Sequence, residues 1–418
     1  MHGDTAGKRT AVNTLPASRI DALIARQEAL TAKPDRETIR AIQLKKLNRL
    51  LARENKRGGF YRNLPERLRS LDEISFLPFT AEEDLASNAG AMMLCSQARI
   101  QRILSDATSG TTGAAKRVFY TEDDIENTVQ LYEAGLGELI FPGSTTMICF
   151  PFSGPFGVGE LISEAVSRLG ARPLKTGPFL CYGEYSELLE RERPDTFVGM
   201  PAQLLGLLRY CGKRTLLRAL VSGDACPQSI MLGCEEILGS RLFPHYGSRE
   251  MGMAGAISCQ AHEGMHLREN HIIAEIVDNE GNILPKGEWG ELVITTIGME
   301  AMPMIRYRTG DFTRILPDPC PCGSAALRLD RIERKHEGFG ISELDGIVFS
   351  DPCAVDCRYD LQHGQMNVFM LTKDTADLPQ MREKLEAAAG IKVVISARKA
   401  EPGDCCLYQG KRIIHKGG

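Results

Sequence analysis

In ETIRAIQLKKLNRLLAREN, Glu37–Asn55, apolar Ile39, Ile42, Leu47, Leu50 and Leu51 recur at helical spacing, with basic and acidic residues between them. This period predicts an amphipathic helix whose charges form a solvated face. TEDDI, Thr121–Ile125, reads as a helix start, with Thr121 as the cap and acids in the first turn. Further on, short apolar runs such as TTMICF, TFVGM and LRALVSG alternate with helical stretches such as ELISEAVSRLG and QLLGLLRYC. Strand-length runs alternating with helices predict a layered βα arrangement. From Ile272 the texture changes to IIAEIVDNEGNILPKGEWGELVITT. It reads as two strands around DNEG and then another strand, an antiparallel or barrel-like subdomain. Charge density rises at Asp330–Arg334, and the short mixed stretch after it fits a small terminal α/β domain.

Composition bounds the setting. A chain of 418 residues is too long for one ordinary core, so two or three domains are expected. Fifty Lys and Arg against 54 Asp and Glu leave a formal charge of −4, which supports neither nucleic acid nor a membrane surface as partner. Met1–Thr14 is polar and lacks the apolar core of a signal peptide. The most apolar stretch, GLGELIFPGSTTMICFPF, is interrupted by Gly, Pro and Ser and does not reach the length of a membrane span. Thirteen cysteines in such a chain read as thiols and metal ligands, not disulfides, and a cytoplasmic location is expected.

The candidate chemistry starts at TSGTTGAAK, Thr108–Lys116, which packs hydroxyls, glycines and a lysine before a strand-like run. Hydroxyl and backbone N–H donors can wrap phosphate oxygens where glycine lets the chain come close, and Lys116 adds positive charge. The common NTPase loop has Gly-Lys-Ser/Thr at its end; here Gly113 is followed by Ala114, Ala115 and Lys116. Three other segments follow in order: VSGDACPQ, HYGSRE at His245–Glu250, and IRYRTGD at Ile305–Asp311. Gly410-Lys411 lies near the end.

With these motifs the chain resembles the adenylate-forming superfamily of acyl-CoA synthetases, luciferases and peptide-synthetase adenylation domains. It is most similar to the phenylacetate–CoA ligase and coenzyme F390 synthetase branch, along most of its length. The resemblance implies an α/β fold with a large domain over 1–330, layered βα subdomains plus a β-barrel-like one, in which 1–38 is a flexible or helical extension. A small, mobile α+β domain is implied over 331–418.

It also implies site roles. Thr108, Ser109, Gly110, Thr111, Thr112, Gly113 and Lys116 would hold the departing phosphates of ATP. Gly223, Asp224, Ala225, Tyr246 and Gly247 would meet the nucleotide, the first three against adenine. Asp311 would accept the ribose hydroxyls, and Arg331 would sit at the hinge and reach the nucleotide. Glu250 would hold Mg²⁺, whose preference for oxygen ligands suits a carboxylate. Lys411 would approach the α-phosphate and the acid from the small domain. Phe152, Phe156, His245 and Gly247 are candidates for the acyl pocket.

Three positions depart from the family pattern. Arg249 stands where a small hydroxyl residue is usual, and its guanidinium could reach the α-phosphate or the carboxylate. Asp330 replaces the glycine before Arg331, and the terminal Gly-Lys lacks its preceding proline.

SCQAHEGMH supplies Cys259, His262 and His266, and DPCPCGS supplies Cys320 and Cys322. Three thiols and an imidazole make a tetrahedral Cys₃His set suited to structural zinc, and the resemblance selects His266 over His262. Cys353, Cys357, Cys405 and Cys406 read as plain thiols or as a second metal set.

The leading reading is an AMP-forming ligase that joins a carboxylic acid, possibly aromatic, to coenzyme A through an acyl-adenylate, with a homodimer left open. Two other readings fit the same motifs: adenylation with a non-CoA acceptor, and nucleotide binding without catalysis.

Overall fold

The computed structural model describes residues 18–106, 116–334, 339–408 and 410–416. Helix α1 (Arg19–Gln27) is capped by the Ser18 hydroxyl and buries Ile20, Leu23 and Ile24. Within the stretch expected to be an extension, residues 19–27 are therefore a packed helix; residues 1–17 lie outside the described residues. Helix α2 (Arg36–Arg57) starts at Asp35, whose carboxylate accepts from the Thr38 N–H at 2.8 Å. It buries Ile39, Leu47, Leu50 and Leu51, with Ile42 half-buried. Helix α3 (Glu82–Met92) leads to an antiparallel ribbon of β1 (Arg102–Asp106) and β2 (Lys116–Tyr120). At α4 (Glu122–Leu136) the Thr121 hydroxyl and the Asp124 carboxylate form a reciprocal capping box, as TEDDI predicts.

The alternating middle of the chain builds one eight-stranded sheet. Its strands are β3 (Thr145–Ile148), β4 (Arg172–Lys175), β5 (Thr196–Gly199), β6 (Arg218–Val221) and β7 (Phe243–Tyr246). These run parallel in the order β4-β3-β5-β6-β7. Helices α5 (Val158–Arg168), α6 (Tyr182–Glu192), α7 (Pro201–Cys211) and α8 (Gln228–Leu238) make the connections. β8 (Ala256–Ile257) and β9 (Met265–Leu267) continue the sheet antiparallel from β7. β5 is buried along its whole length, as a strand between two helical layers must be.

The next unit is an antiparallel sheet of β10 (Ile272–Val277), β11 (Gly290–Thr296), β12 (Tyr307–Thr313) and β14 (Glu333–Arg334), while β13 (Arg328–Leu329) pairs with β9. The strand expected immediately after DNEG is reduced to a single bridge, Val277–Ile283. β10 pairs instead with β11, Ile272 opposite Thr296. The Pro285-Lys286-Gly287 stretch interrupts the run before a second strand can form.

The last unit contains α9 (Ile341–Val348), β15 (Ala354–Gln362), β16 (Gln365–Thr372), α10 (Leu378–Ala389), β17 (Lys392–Lys399) and β18 (Ile414–Lys416), with sheet order β17-β16-β15-β18. β14 pairs with β12, placing Arg334 opposite Asp311, so residues 333–334 extend the preceding sheet. The last unit does not stand apart. Leu204, Leu205 and Leu208 of α7 share a buried cluster with Leu344, Val348, Tyr359 and Val368. Arg209 donates to the carbonyls of Phe349, Asp351 and Ala354 across the same contact.

Candidate active site

Four segments meet in one cleft. β7 ends in Tyr246 and runs into the turn Gly247–Glu250, β12 carries Asp311, β2 begins with Lys116, and Lys411 arrives just before β18. Backbone crowding explains the glycine of the turn. A Cβ on Gly247 would lie 2.3 Å from the Met253 carbonyl oxygen, so no side chain fits. Gly223 has φ of +84° and faces the Phe150 ring, which lets the SGDA turn fold back after β6.

The charged groups alternate in sign. The Tyr246 hydroxyl donates to Asp311 Oδ2 at 2.7 Å, and Arg334 Nε lies 3.3 Å from Asp311 Oδ1. Lys116 Nζ is 2.8 Å from Glu82 and 3.9 Å from Glu250; Tyr307 Oη is 3.5 Å from Glu250 Oε1. Asp224 accepts from its neighbour Ala225 N–H and from the Arg412 N–H, each at 2.9 Å. Burial raises the Asp224 carboxyl above its ordinary range. Lys411 is exposed to solvent at the edge of this group of charges. Desolvation, then the nearby Arg334, lowers its pKa, while Asp311, Asp224 and Glu250 favour its charged form. A cation of moderated pKa among three carboxylates is suited to meet an anion that enters between them.

Arg249 opens the short turn Arg249–Met251; its carbonyl accepts from the Tyr120 hydroxyl at 2.7 Å, and its guanidinium lies in the field of Arg102. His245 is buried, its Nδ1 2.8 Å from Ser222 Oγ and its ring stacked on Tyr132 at 5.1 Å. Burial pulls its pKa down to about 4, so the imidazole is neutral near pH 7. Its Nε2 has no hydrogen-bond partner among the described residues. Phe152 and Phe156 are half-buried at the edge of the first core, with Lys175 Nζ 5.6 Å above the Phe152 ring. Thr108, Ser109, Gly110, Thr111, Thr112 and Gly113 lie outside the described residues; the ribbon on either side ends at Asp106 and Lys116, the latter in the cleft.

Arg331 is not among the groups brought together. Its side chain is 61% exposed, pairs with Glu333 at 2.7 Å and lies 4.8 Å over the Trp289 ring. Strand register is the reason: pairing of β12 with β14 sets Arg334, three residues on, opposite Asp311. Arg412 went unnoticed in the basic tail of the sequence. It is fully buried, donating to Asp345 at 2.8 Å and Asp356 at 3.0 Å, between the Phe349 and Tyr408 rings. A buried arginine requires such satisfied partners, and the effect is to fix the backbone beside Lys411.

Away from the cleft, Cys259, His266, Cys320 and Cys322 are buried with their ligand atoms all within 4.8 Å of one another. Tetrahedral zinc with bonds of about 2.3 Å to sulfur and 2.0 Å to nitrogen requires ligand atoms about 3.5–3.8 Å apart. Cys259 and Cys320 Sγ are 3.7 Å apart, and Cys322 Sγ is 3.4 Å from His266 Nε2, so the set fits the ion. His266 Nδ1 faces the Ala326 carbonyl at 3.3 Å, the outward hydrogen bond that orients a ligating imidazole. His262 points away, toward the Leu242 carbonyl. Among the described residues Cys353, Cys357, Cys405 and Cys406 do not gather into a second ligand set.

Comparison with known proteins gives the family of the chain. Residues 107–302 match the model of the family described as AMP-binding enzyme. The chain is 30% identical over 324 residues to the phenylacetate-coenzyme A ligase of Aromatoleum evansii, covering 72% of this chain and 71% of that one. It is 28% identical over 316 residues to the phenylacetate-coenzyme A ligase of Thermus thermophilus, covering 71% and 70%. Among solved structures, a 2-hydroxyisobutyryl-CoA ligase in its postadenylation state superposes with a TM-score of 0.76 at 18% identity, covering 91% of this chain and 90% of the other, a likeness of fold. No helix among the described residues is long and apolar enough to cross a membrane. The chain belongs to the adenylate-forming AMP-binding enzymes, beside the phenylacetate–coenzyme A ligases.

Proposed function

We propose that this protein activates a carboxylic acid with ATP and passes the acyl group to coenzyme A. The observation that carries the proposal is the convergence of Asp311, held by Tyr246 and Arg334, with Glu250 beside Lys116 and Tyr307, while Lys411 lies within electrostatic reach of Asp311, Asp224 and Glu250. In the first step a carboxylate oxygen attacks the α-phosphorus, the bond to pyrophosphate breaks, and an acyl-adenylate forms. Both reactants are anions, so the work is positioning and charge neutralisation. Asp311, oriented by Tyr246 and Arg334, accepts the ribose hydroxyls, and the SGDA turn receives the adenine. Lys116 and the Thr108–Gly113 segment hold the departing phosphates, while Lys411 neutralises charge between the carboxylate and the α-phosphate.

Glu250 is the ligand for Mg²⁺, which would neutralise phosphate charge when bound. In the second step the thiol of coenzyme A attacks the acyl carbon and AMP leaves, with the small domain turned away from the cleft. His245, stacked on Tyr132, and the Phe152–Phe156 segment would line the acid's pocket; a neutral imidazole and phenyl rings accept an apolar acid, aromatic ones included. Zinc at Cys259, His266, Cys320 and Cys322 would be structural, because four side-chain ligands leave no position open for a substrate.

The test is AMP release from ATP across a panel of carboxylic acids, with and without coenzyme A. AMP that requires both an acid and coenzyme A supports the ligase. Pyrophosphate release indifferent to coenzyme A indicates a different acceptor, and ATP binding without turnover on any acid contradicts the proposal.

A further inference from the structure

One backbone junction between the large and small domains carries a cysteine on each side. Cys181, at the entry to α6, and Cys405, in the segment leading to β18, form an isolated antiparallel bridge. The flanking hydrogen bond runs from the Tyr182 N–H to the Asp404 carbonyl at 2.8 Å, followed by Gly183 N–H to Pro402 carbonyl at 2.8 Å. That pattern makes Cys181 and Cys405 a non-hydrogen-bonded cross-strand pair, whose Cα atoms stand about 4.5 Å apart with side chains on one face. A disulfide spans Cα separations of about 4.4–6.8 Å, so a pair in this arrangement falls within its reach.

The surroundings hold both strands in place. Glu184 accepts from the Cys181 N–H at 2.8 Å. On the other side Asp404 pairs with Arg398 and accepts from the Glu401 N–H at 2.7 Å. Cys405 is exposed and Cys181 half-buried, so an oxidant can reach them. The neighbouring Cys406 is half-buried and takes no part in the bridge.

We infer that Cys181 and Cys405 form a redox-sensitive clamp, a disulfide that fastens the small domain to the large one under peroxide. The Cys405 thiol gives up its proton and the thiolate attacks hydrogen peroxide; the O–O bond breaks, leaving a sulfenic acid and a hydroxide that takes up that proton as water. Cys181 likewise gives up its proton and attacks that sulfur; the S–S bond forms, the S–O bond breaks, and the departing hydroxide takes up the second proton as a second water. Two thiols are oxidised and one peroxide is reduced. Burial and the nearby Cys181, Glu184 and Asp404 raise the Cys405 thiol above its ordinary range, so the clamp answers strong oxidation and not mild. Closed, it holds Lys411 in the cleft and forbids the small domain from leaving. Its formation needs only the geometry; its effect rests on the two-step reaction proposed above.

The full-length protein is treated with excess hydrogen peroxide, blocked with an alkylating agent and digested without reductant for peptide mapping. The expected product is a Cys181–Cys405 cross-linked peptide, lost in C181S and in C405S, kept in C406S, and opened by dithiothreitol. Recovery of Cys181 alkylated while Cys405 is joined to Cys406 or to a second molecule overturns the clamp. In the same samples, acid-dependent pyrophosphate exchange should persist within about twofold, while thioester formation falls at least tenfold and returns with dithiothreitol. If the peptide forms and thioester formation is unchanged, the locking role is wrong although the disulfide is real. If neither half-reaction is present before oxidation, the proposed function fails and the peptide map still decides the clamp.

Discussion

His245 shows how far a single residue can be read from the chain. Its place before Tyr246-Gly247 was legible, but its state was not, because burial beneath Tyr132 and the bond to Ser222 come from distant segments. In the fold its pKa is about 4, against about 6.5 in an unfolded chain. Between those values the unfolded state binds the proton and the folded state refuses it. The stability present above pH 6.5 is therefore lost as pH falls toward 4, by about 3 kcal/mol from this group. Urea unfolding midpoints at pH 7 and pH 4.5 should converge in His245→Gln relative to the parent protein. An unchanged difference would show that the imidazole is not held neutral. Arg331 and Arg334 teach the complementary lesson. The motif sets an arginine near the end of the large domain, and only the β12–β14 register decides which one meets Asp311.

At the scale of elements, the strand and helix periods located most of the central sheet, because each βα unit buries a local apolar run. The short strands β8, β9 and β13 carry no such pattern, being two or three residues long. Beside them lies the Cys259–His266–Cys320–Cys322 cluster, with Cys259 in the turn between β8 and β9, His266 in β9 itself, and Cys320 and Cys322 in the loop before β13. Elements this short gain little register from hydrogen bonds alone, and zinc bound by these four residues would supply the missing restraint. Protein prepared with ample metal should contain about one zinc per chain by elemental analysis. Cys320→Ser should lose it and melt roughly 5 °C or more lower, with the acid dependence of the remaining folded protein unchanged. A zinc-free parent protein of the same stability would contradict this.

Across the whole molecule, the division into a large and a small domain was visible in the sequence, but the manner of their contact was not. No local pattern announces that Leu204 and Leu208 pack on Tyr359 and Val368, or that Arg209 reaches three carbonyls of the other domain. Nor did the basic tail GKRIIHK reveal that Arg412 anchors in Asp345 and Asp356 while Lys411 reaches the cleft. On the proposed function, one residue of the small domain, Lys411, completes a site built by the large one. Lys411→Ala removes the cation and leaves the Arg412 anchor, so the fold should survive. The decisive measurement is each half-reaction of that variant taken separately. Acid-dependent pyrophosphate exchange should fall by about 100-fold or more, while thioester formation from preformed acyl-adenylate stays within about threefold of the parent. Pyrophosphate exchange at the parent rate would contradict the account.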